Sequence, residues 1–212
     1  MFPPFFALPT VAAKLERTTV AIGAQDVFWE KEGAYTGEIS ADMIHEAGGT
    51  WVIVGHSERR HVIGETNEVV AKKLSAAVGA GLAVVLCVGE KLSHREAGEA
   101  VSFVRDQLES AFEVLSASDL DRLVIAYEPV WAIGTGKTAT PQDAVEMHRS
   151  IRSYVSERFD PDIAGRMRSL YGGSVKPQNA EGLLREADID GALIGGASLE
   201  LDSFLQIARA VR

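Results

Sequence analysis

The sequence predicts an α/β protein in which parallel strands are flanked by helices, a (β/α)8 barrel rather than a doubly wound sheet. Three observations carry this. Short runs rich in Val, Ile and Leu alternate with helix-period segments along the 212 residues. Repeated strand–helix units need crossover connections and therefore parallel strands. Finally, residues with chemistry to offer stand just after the strands: Gln25, His56, Cys87, Glu128, Gly172-Gly173-Ser174 and Gly195-Gly196. Function assembled from many strand ends suits a barrel better than the single crevice of a doubly wound sheet. No composition break, low-complexity tract or linker interrupts the chain, so residues 1–212 are expected to form one domain.

The buried-strand candidates are Val20 to Gln25, Trp51 to Gly55, Ala83 to Val88, Leu123 to Tyr127, Ser169 to Tyr171 and Gly191 to Ile194. Between them, Ala41 to Ala47 reads as a short helix. Thr66 to Ala80 is helical, with Val69, Val70, Leu74, Ala77 and Val78 apolar. His94 to Leu115 reads as one long charged helix with Val101, Val104, Leu108, Ala111, Phe112 and Leu115 on one face. Pro141 to Phe159 follows, and Thr140 before Pro141 predicts an N-cap with proline at the first helical position. Ala180 to Glu186 and Leu199 to Val211 complete the helices.

Composition narrows the function classes. With 46% apolar and 24% charged residues, the chain has the make-up of a soluble globular protein. No apolar run approaches a membrane span. The opening Met-Phe-Pro-Pro-Phe-Phe lacks the basic flank and long apolar core of a secretory signal. One cysteine excludes an internal disulfide and fits a reducing cytosol. A net charge of −9 argues against nucleic acid and anionic membranes as partners. An anionic substrate would need local donors working against that field.

The most informative segment is Tyr127-Glu128-Pro129-Val130-Trp131-Ala132-Ile133-Gly134-Thr135-Gly136-Lys137-Thr138. A strand ends in a carboxylate, and the loop that follows is both apolar and glycine-rich. Such a loop can bury its side chains over a ligand and swing open at its glycines. A carboxylate beside it suggests a general base in a closable site, although the pattern also fits a surface turn with a stray carboxylate. Gly136-Lys137-Thr138 ends like a phosphate-binding P-loop, but Trp131 occupies the place of the required first glycine. Gly134-x-Gly136 is a poor dinucleotide fingerprint, because the strand has already ended and Ala139 fills the last slot.

His56 closes the run Trp51 to His56, and Ser57-Glu58-Arg59-Arg60 begins a polar, helix-like stretch. The positive end of a helix dipole favours the neutral imidazole, which can donate one N–H to a substrate oxygen; a satisfied structural histidine is the alternative. Tyr171-Gly172-Gly173-Ser174-Val175 and Ile194-Gly195-Gly196-Ala197-Ser198 form a second pattern. Each sets two glycines between a strand and a helix, where backbone N–H groups can approach an anion. After the last two strands of a barrel, such turns make a phosphate site. Cys87 reads as a small buried hydrophobe. No metal site is expected, because the five histidines and the cysteine never fall at ligand spacing.

Taken together, these stretches resemble triosephosphate isomerase. They are Gly23-Ala24-Gln25-Asp26-Val27, Gly33 to Ser40, Val52 to Arg60, Leu86 to Glu90, Ala126 to Thr138, Tyr171 to Val175 and Ile194 to Ser198, in that order over nearly the whole chain. The resemblance implies a TIM barrel. It implies Glu128 as the base that moves a proton between adjacent carbons, His56 as the neutral electrophile and Glu58 as a supporting acid. A lid from Pro129 to Thr138 would close over the substrate, with the N–H of Gly134 on its phosphate. Ser174, Gly195 and Gly196 would supply further phosphate donors. No cofactor is implied. The substrates would be dihydroxyacetone phosphate and glyceraldehyde 3-phosphate, placing the chain in glycolysis and gluconeogenesis as a cytoplasmic homodimer. The loop Gln25 to Ser40, with Tyr35, Thr36 and Gly37 at its tip, would insert into the neighbouring subunit.

The start departs from this pattern. The family opens with a strand bearing an Asn-x-Lys pair, then a helix and a second strand, whereas Met1-Phe2-Pro3-Pro4-Phe5 resembles the end of that second strand. A barrel of this type usually takes ~250 residues. The sequence as given is therefore expected to form an N-terminally truncated barrel, incomplete or open. The strands Val20 to Gln25 and Gly191 to Ile194 would be its edges, and a second copy would cover them. A non-catalytic phosphate-binding or interaction protein on a remnant scaffold stands as the alternative function.

Overall fold

The computed structural model describes residues 1–133 and 139–210. Among these, six strands hydrogen-bond in chain order, β1-β2-β3-β4-β5-β6. They are β1 (Gly23–Ala24), β2 (Trp51–Val54), β3 (Ala83–Val88), β4 (Leu123–Tyr127), β5 (Arg168–Tyr171) and β6 (Gly191–Ala192). β1 pairs in parallel with β2 through Gly23↔Trp51 and Ala24↔Val52, and β2 with β3 from Trp51↔Ala83 to Val54↔Leu86. β5 and β6 pair in parallel through Leu170↔Gly191 and Tyr171↔Ala192. This is the expected α/β class, with parallel neighbours taken in sequence order. β1 and β6 are shorter than expected, and they stand first and last in the strand order. Met1 and Phe2 run beside β1: the Gly23 N–H donates to the Met1 carbonyl at 3.0 Å, and Gln25 Nε2 to the Phe2 carbonyl at 3.0 Å.

The helices are α1 (Leu8–Leu15), α2 (Ala41–Glu46), α3 (Asn67–Gly79), α4 (Leu92–Glu96), α5 (Ala100–Phe112), α6 (Pro141–Arg158), α7 (Pro161–Arg166), α8 (Pro177–Leu184) and α9 (Leu201–Ala208). Their starts follow the capping rules. Ser40 and Thr66 accept N–H bonds at the heads of α2 and α3. Thr140 and Asp143 form a reciprocal capping box with Pro141 at N1, as the sequence predicts. The single helix expected from His94 to Leu115 is instead two, α4 and α5. Gly98 lies between them at φ +74°, a left-handed conformation that no helix interior admits. The polar stretch after His56 winds into a wide, π-type turn, Arg59–Ile63, ended by Gly64 at φ 91°.

The contacts divide the chain into two compact units, Met1–Leu86 with Glu109–Val124, and Cys87–Leu108 with Ile125–Arg212. In the first, Leu8, Ile44, Val52, Val54, Leu74 and Leu82 are fully buried. This unit also buries charge. Lys73 of α3, 2% exposed, donates to both Asp26 oxygens at 2.7 and 2.8 Å and to Glu65 Oε1 at 2.5 Å. Arg59 completes the cluster, 2.6 Å from Glu65 and 2.9 Å from Asp26. Two cations and two carboxylates balance, so neither sign is left uncompensated out of water. Burial raises the pKa of Asp26, against the opposing pull of Lys73 and Arg59.

In the second unit, Ile125, Tyr127, Met147, Ile151, Val155, Tyr171 and Leu183 form the core. His148 of α6 sits within it at 0% exposure. Its Nδ1 lies 2.7 Å from the Ser169 hydroxyl, and its ring meets Tyr127 edge-on at 5.9 Å. Burial lowers the His148 pKa from 6.5 to about 4, helped by the nearby Arg152 charge.

The unfolded chain therefore takes up the His148 proton at higher pH than the folded chain does. The stability due to neutral His148 is complete above pH 6.5 and is lost as pH falls toward about 4. The loss is on the order of 3 kcal/mol. His148→Gln should be less stable than the parent at pH 8, yet lose less of its thermal midpoint between pH 7 and 5. Parallel midpoint–pH curves for the two proteins would contradict this.

Candidate active site

Glu128 follows directly on β4, all of whose residues are buried, and is itself only 2% exposed. Its main chain is pinned on both sides. Its N–H donates to the Val88 carbonyl at 2.8 Å, while the Tyr127 carbonyl accepts from the Gly172 N–H at 2.7 Å. Glycine is needed at both flanks. A Cβ on Gly89 would collide with the Glu128 carbonyl, and one on Gly172 would lie 2.8 Å from Glu128 Cγ and 3.2 Å from the Tyr127 oxygen. Gly173 is equally confined, by the Tyr171 ring and by Pro129. The first glycine pair thus makes room for the carboxylate-bearing turn, a role the sequence alone does not reveal.

The turn after Glu128 is anchored by a second buried carboxylate. Glu90, at 0% exposure, accepts from the Tyr127 hydroxyl at 3.0 Å and from Trp131 Nε1 at 2.7 Å. Its main-chain oxygen takes the Val130 N–H at 3.1 Å. Burial raises the pKa of Glu90, opposed by the Trp131 and Tyr127 bonds and by the Arg95 charge 3.6 Å away. Burial beside Glu90 likewise drives the Tyr127 phenol far upward, so it stays a donor. Burial pushes Tyr171 up to about 12. The Arg95 guanidinium lies 4.9 Å from the Trp131 ring centre and also bonds Asp143, the carboxylate that caps α6.

Of the expected lid, Pro129, Val130, Trp131, Ala132 and Ile133 are described. Val130–Ala132 is a single 3-10 turn with Ala132 at 1% exposure. The apolar loop side chains are thus partly buried, which explains why the sequence tolerates them there. Gly134, Thr135, Gly136, Lys137 and Thr138 lie outside the described residues.

Ser174 follows β5, and its carbonyl accepts from Asn179 Nδ2 of α8 at 2.9 Å. Gly195 and Gly196 follow β6 in an exposed turn, where Ser198 closes back on the Gly195 carbonyl through its N–H at 2.9 Å and its hydroxyl at 2.7 Å. A Cβ on either glycine would meet nothing within 4 Å. These glycines are not forced by the protein's own packing, and the space in front of them is open.

In the other unit, His56 follows β2. Its Nδ1 accepts the Glu58 N–H at 3.4 Å and lies 3.8 Å from the Glu58 carboxylate, whose side chain is 79% exposed. A neutral ring that accepts at Nδ1 carries its proton on Nε2. The next residue, Arg59, belongs to the buried ion cluster with Asp26, Glu65 and Lys73. Arg60 is also buried, and its Nε donates to the Gly55 carbonyl at 2.8 Å. The loop from Gln25 to Ser40 starts beside this cluster and is tied at its base by the Phe28 N–H to the Ile39 carbonyl at 2.7 Å. Its tip is exposed at Tyr35, Thr36 and Gly37, with Gly37 at φ 93°.

Sequence reasoning missed Glu90, Arg95 and Lys73. A signal existed for Glu90, since it ends Cys87-Val88-Gly89-Glu90 as Glu128 ends its own strand. None existed for Lys73, whose acidic partners become neighbours only on folding.

Comparison with known proteins identifies the family. The family model for triosephosphate isomerase matches residues 1–211. The chain is 52% identical over 202 residues to the triosephosphate isomerase of Geobacter metallireducens, covering 95% of this chain and 80% of that protein. It is 52% identical over 209 residues to the triosephosphate isomerase of Thermus thermophilus, covering 99% of this chain and 84% of that one. With the enzyme of Caldanaerobacter subterraneus the identity is 50% over 207 residues, 98% and 84% of the two chains. Matched along almost its whole length by the family model and by relatives at 50–52% identity, this chain belongs to the triosephosphate isomerase family.

Proposed function

We propose that this chain interconverts dihydroxyacetone phosphate and glyceraldehyde 3-phosphate. Glu128 takes a proton from one carbon and returns it to the next through an enediol(ate). The observation that carries this reading is the seat of Glu128, a buried carboxylate at a strand end held by main-chain bonds on both sides. A base so held keeps its reach to a carbon-bound proton while shielded from water. His56 is assigned the role of the electrophile that donates to the carbonyl oxygen as charge develops there, with Glu58 supporting it from the rim. Family membership and the names of the relatives support the isomerase activity.

The substrate's phosphate is an anion approaching a protein of net charge −9, so it needs local donors. Main-chain N–H groups at Gly195 and Gly196, the turn at Ser174 and the N–H of Gly134 are assigned that task. The open space before Gly195 and Gly196 supports it. The lid from Pro129 to Thr138 would close over the bound triose, a device for which this family is itself a standard case. The reaction is redox-neutral overall and calls for no redox cofactor.

We also assign the chain a homo-oligomeric state, built on insertion of the loop Gln25 to Ser40 into a neighbouring copy, and a cytoplasmic place in glycolysis and gluconeogenesis. Among the described residues no helix is long and apolar enough to cross a membrane. Exposed apolar side chains in the same unit as the loop support an interface: Tyr35 at 44%, Met43 at 46%, Val62 at 79% and Ile63 at 63%.

A coupled isomerisation assay tests the activity. Glu128→Gln should lose at least ~10²-fold in kcat, the low end for a general base, while Glu128→Asp keeps part of the rate. Turnover left intact in Glu128→Gln would assign the chemistry to another group. Gly172→Ala pushes a methyl against Glu128 Cγ and should cost about 1–3 kcal/mol of stability, with kcat falling more than KM rises. An unchanged denaturant midpoint would contradict the packing. Sedimentation at micromolar concentration should show a dimer or larger assembly that dissociates when residues 33–38 are replaced by a short glycine link; a monomer before the change would sink the oligomer.

A further inference from the structure

We propose that Gln107 is a positioning residue for the catalytic base. This rests on Glu128 as the base of the proposed isomerase. Gln107 lies on α5 and is 3% exposed, a neutral polar side chain on a face otherwise filled by Val104, Leu108 and Ala111. Both ends of its amide are spent on one residue. Its Oε1 accepts the Gly89 N–H at 2.8 Å, and its Nε2 donates to the Gly89 carbonyl at 3.3 Å. The Glu128 N–H bonds the Val88 carbonyl, one residue before. At Gly89, buried in its turn, a side chain takes over the main-chain bonds, which would otherwise be costly to leave unmade.

The side chain suits this task in a way few others do. Satisfying an N–H and a C=O of one residue at once suits the amide of Asn or Gln, which sets an acceptor beside a donor and does not titrate. Glutamate accepts but, when ionised, cannot donate. Leucine fills the volume and does neither. Gly89 in turn has no room between its Cα and the Glu128 carbonyl oxygen. A shift of Gly89 is therefore passed to the main chain that carries the Glu128 carboxylate. Gln107 spends both ends of its amide on Gly89 and acts by fixing the floor on which the base stands.

The test uses the full chain and two variants, Gln107→Leu and Gln107→Glu. In Gln107→Leu, kcat should fall about ten- to a hundredfold, the size of loss that a displacement near 1 Å produces. KM should stay within about twofold, because the phosphate donors are elsewhere in the chain. Gln107→Glu keeps the acceptor for the Gly89 N–H and should fall between the parent and leucine; if the leucine variant does not fold, the kcat and KM of the glutamate variant decide in the same way. A folded Gln107→Leu with parental kcat overturns the proposal. So does a kcat that drops only with the folded fraction. Amide hydrogen exchange without substrate supplies an arm independent of turnover. The Glu128 N–H should lose protection in the variants while Ile125 and Ala126 of β4 keep theirs; uniform change, or none, along 125–128 overturns the proposal. Absent turnover in the parent chain would count against the isomerase reading alone, since the exchange arm still decides on Gln107.

Discussion

Gly89 and the main chain of Glu128 approach so closely that no side chain fits between them, and much of the second unit is arranged around that contact. It fixes the end of β4 against the end of β3, with the Glu128 N–H on the Val88 carbonyl. Gly172 does the same from the other side through the Tyr127 carbonyl. The turn that carries the carboxylate is therefore held by main-chain bonds on both sides. The buried polar groups nearby serve the frame. Gln107 holds Gly89, and Glu90 collects the Tyr127 and Trp131 donors. Buried networks of this kind are costly when half made and rigid when complete.

The first unit uses charge in the same structural way. Arg59 stands three residues after His56, and Asp26 opens the loop assigned to subunit contact. Both meet Lys73 and Glu65 in one neutral cluster. Breaking one member would leave a buried charge without compensation, which costs far more than the intact cluster contributes. The cluster ties the His56 turn and the base of the Gln25 to Ser40 loop to helix α3, so these two segments share one support.

Much of this was legible in the sequence, for identifiable reasons. Buried parallel strands leave continuous apolar runs, so β3 and β4 were read with their observed bounds. Polar residues directly after such runs stand out against them, which is how His56 and Glu128 became the site candidates. Thr140-Pro141 carried its own capping signal. What was not legible depends on contacts distant in sequence. Glu90 was quoted but given no role, because its donors lie 37 and 41 residues further on. Lys73 carries no signal of its own in the sequence, because Asp26 stands 47 residues away and meets it only in the fold. The break between α4 and α5 rests on one glycine at positive φ, and a charged amphipathic pattern runs straight across it. The glycine pair after β5 was read as an anion site, yet Gly172 and Gly173 are required first by the side chains and main chain packed against them.

The central claim is that Glu128 moves a carbon-bound proton, and isomerisation in D2O followed by NMR tests it most directly. A carboxylate base that holds the proton between two carbons can exchange it with solvent, so deuterium should appear at the carbon that receives it, at a rate that collapses in Glu128→Gln. Product formed with its carbon-bound hydrogen wholly retained, equally in the parent and in Glu128→Gln, would contradict the account.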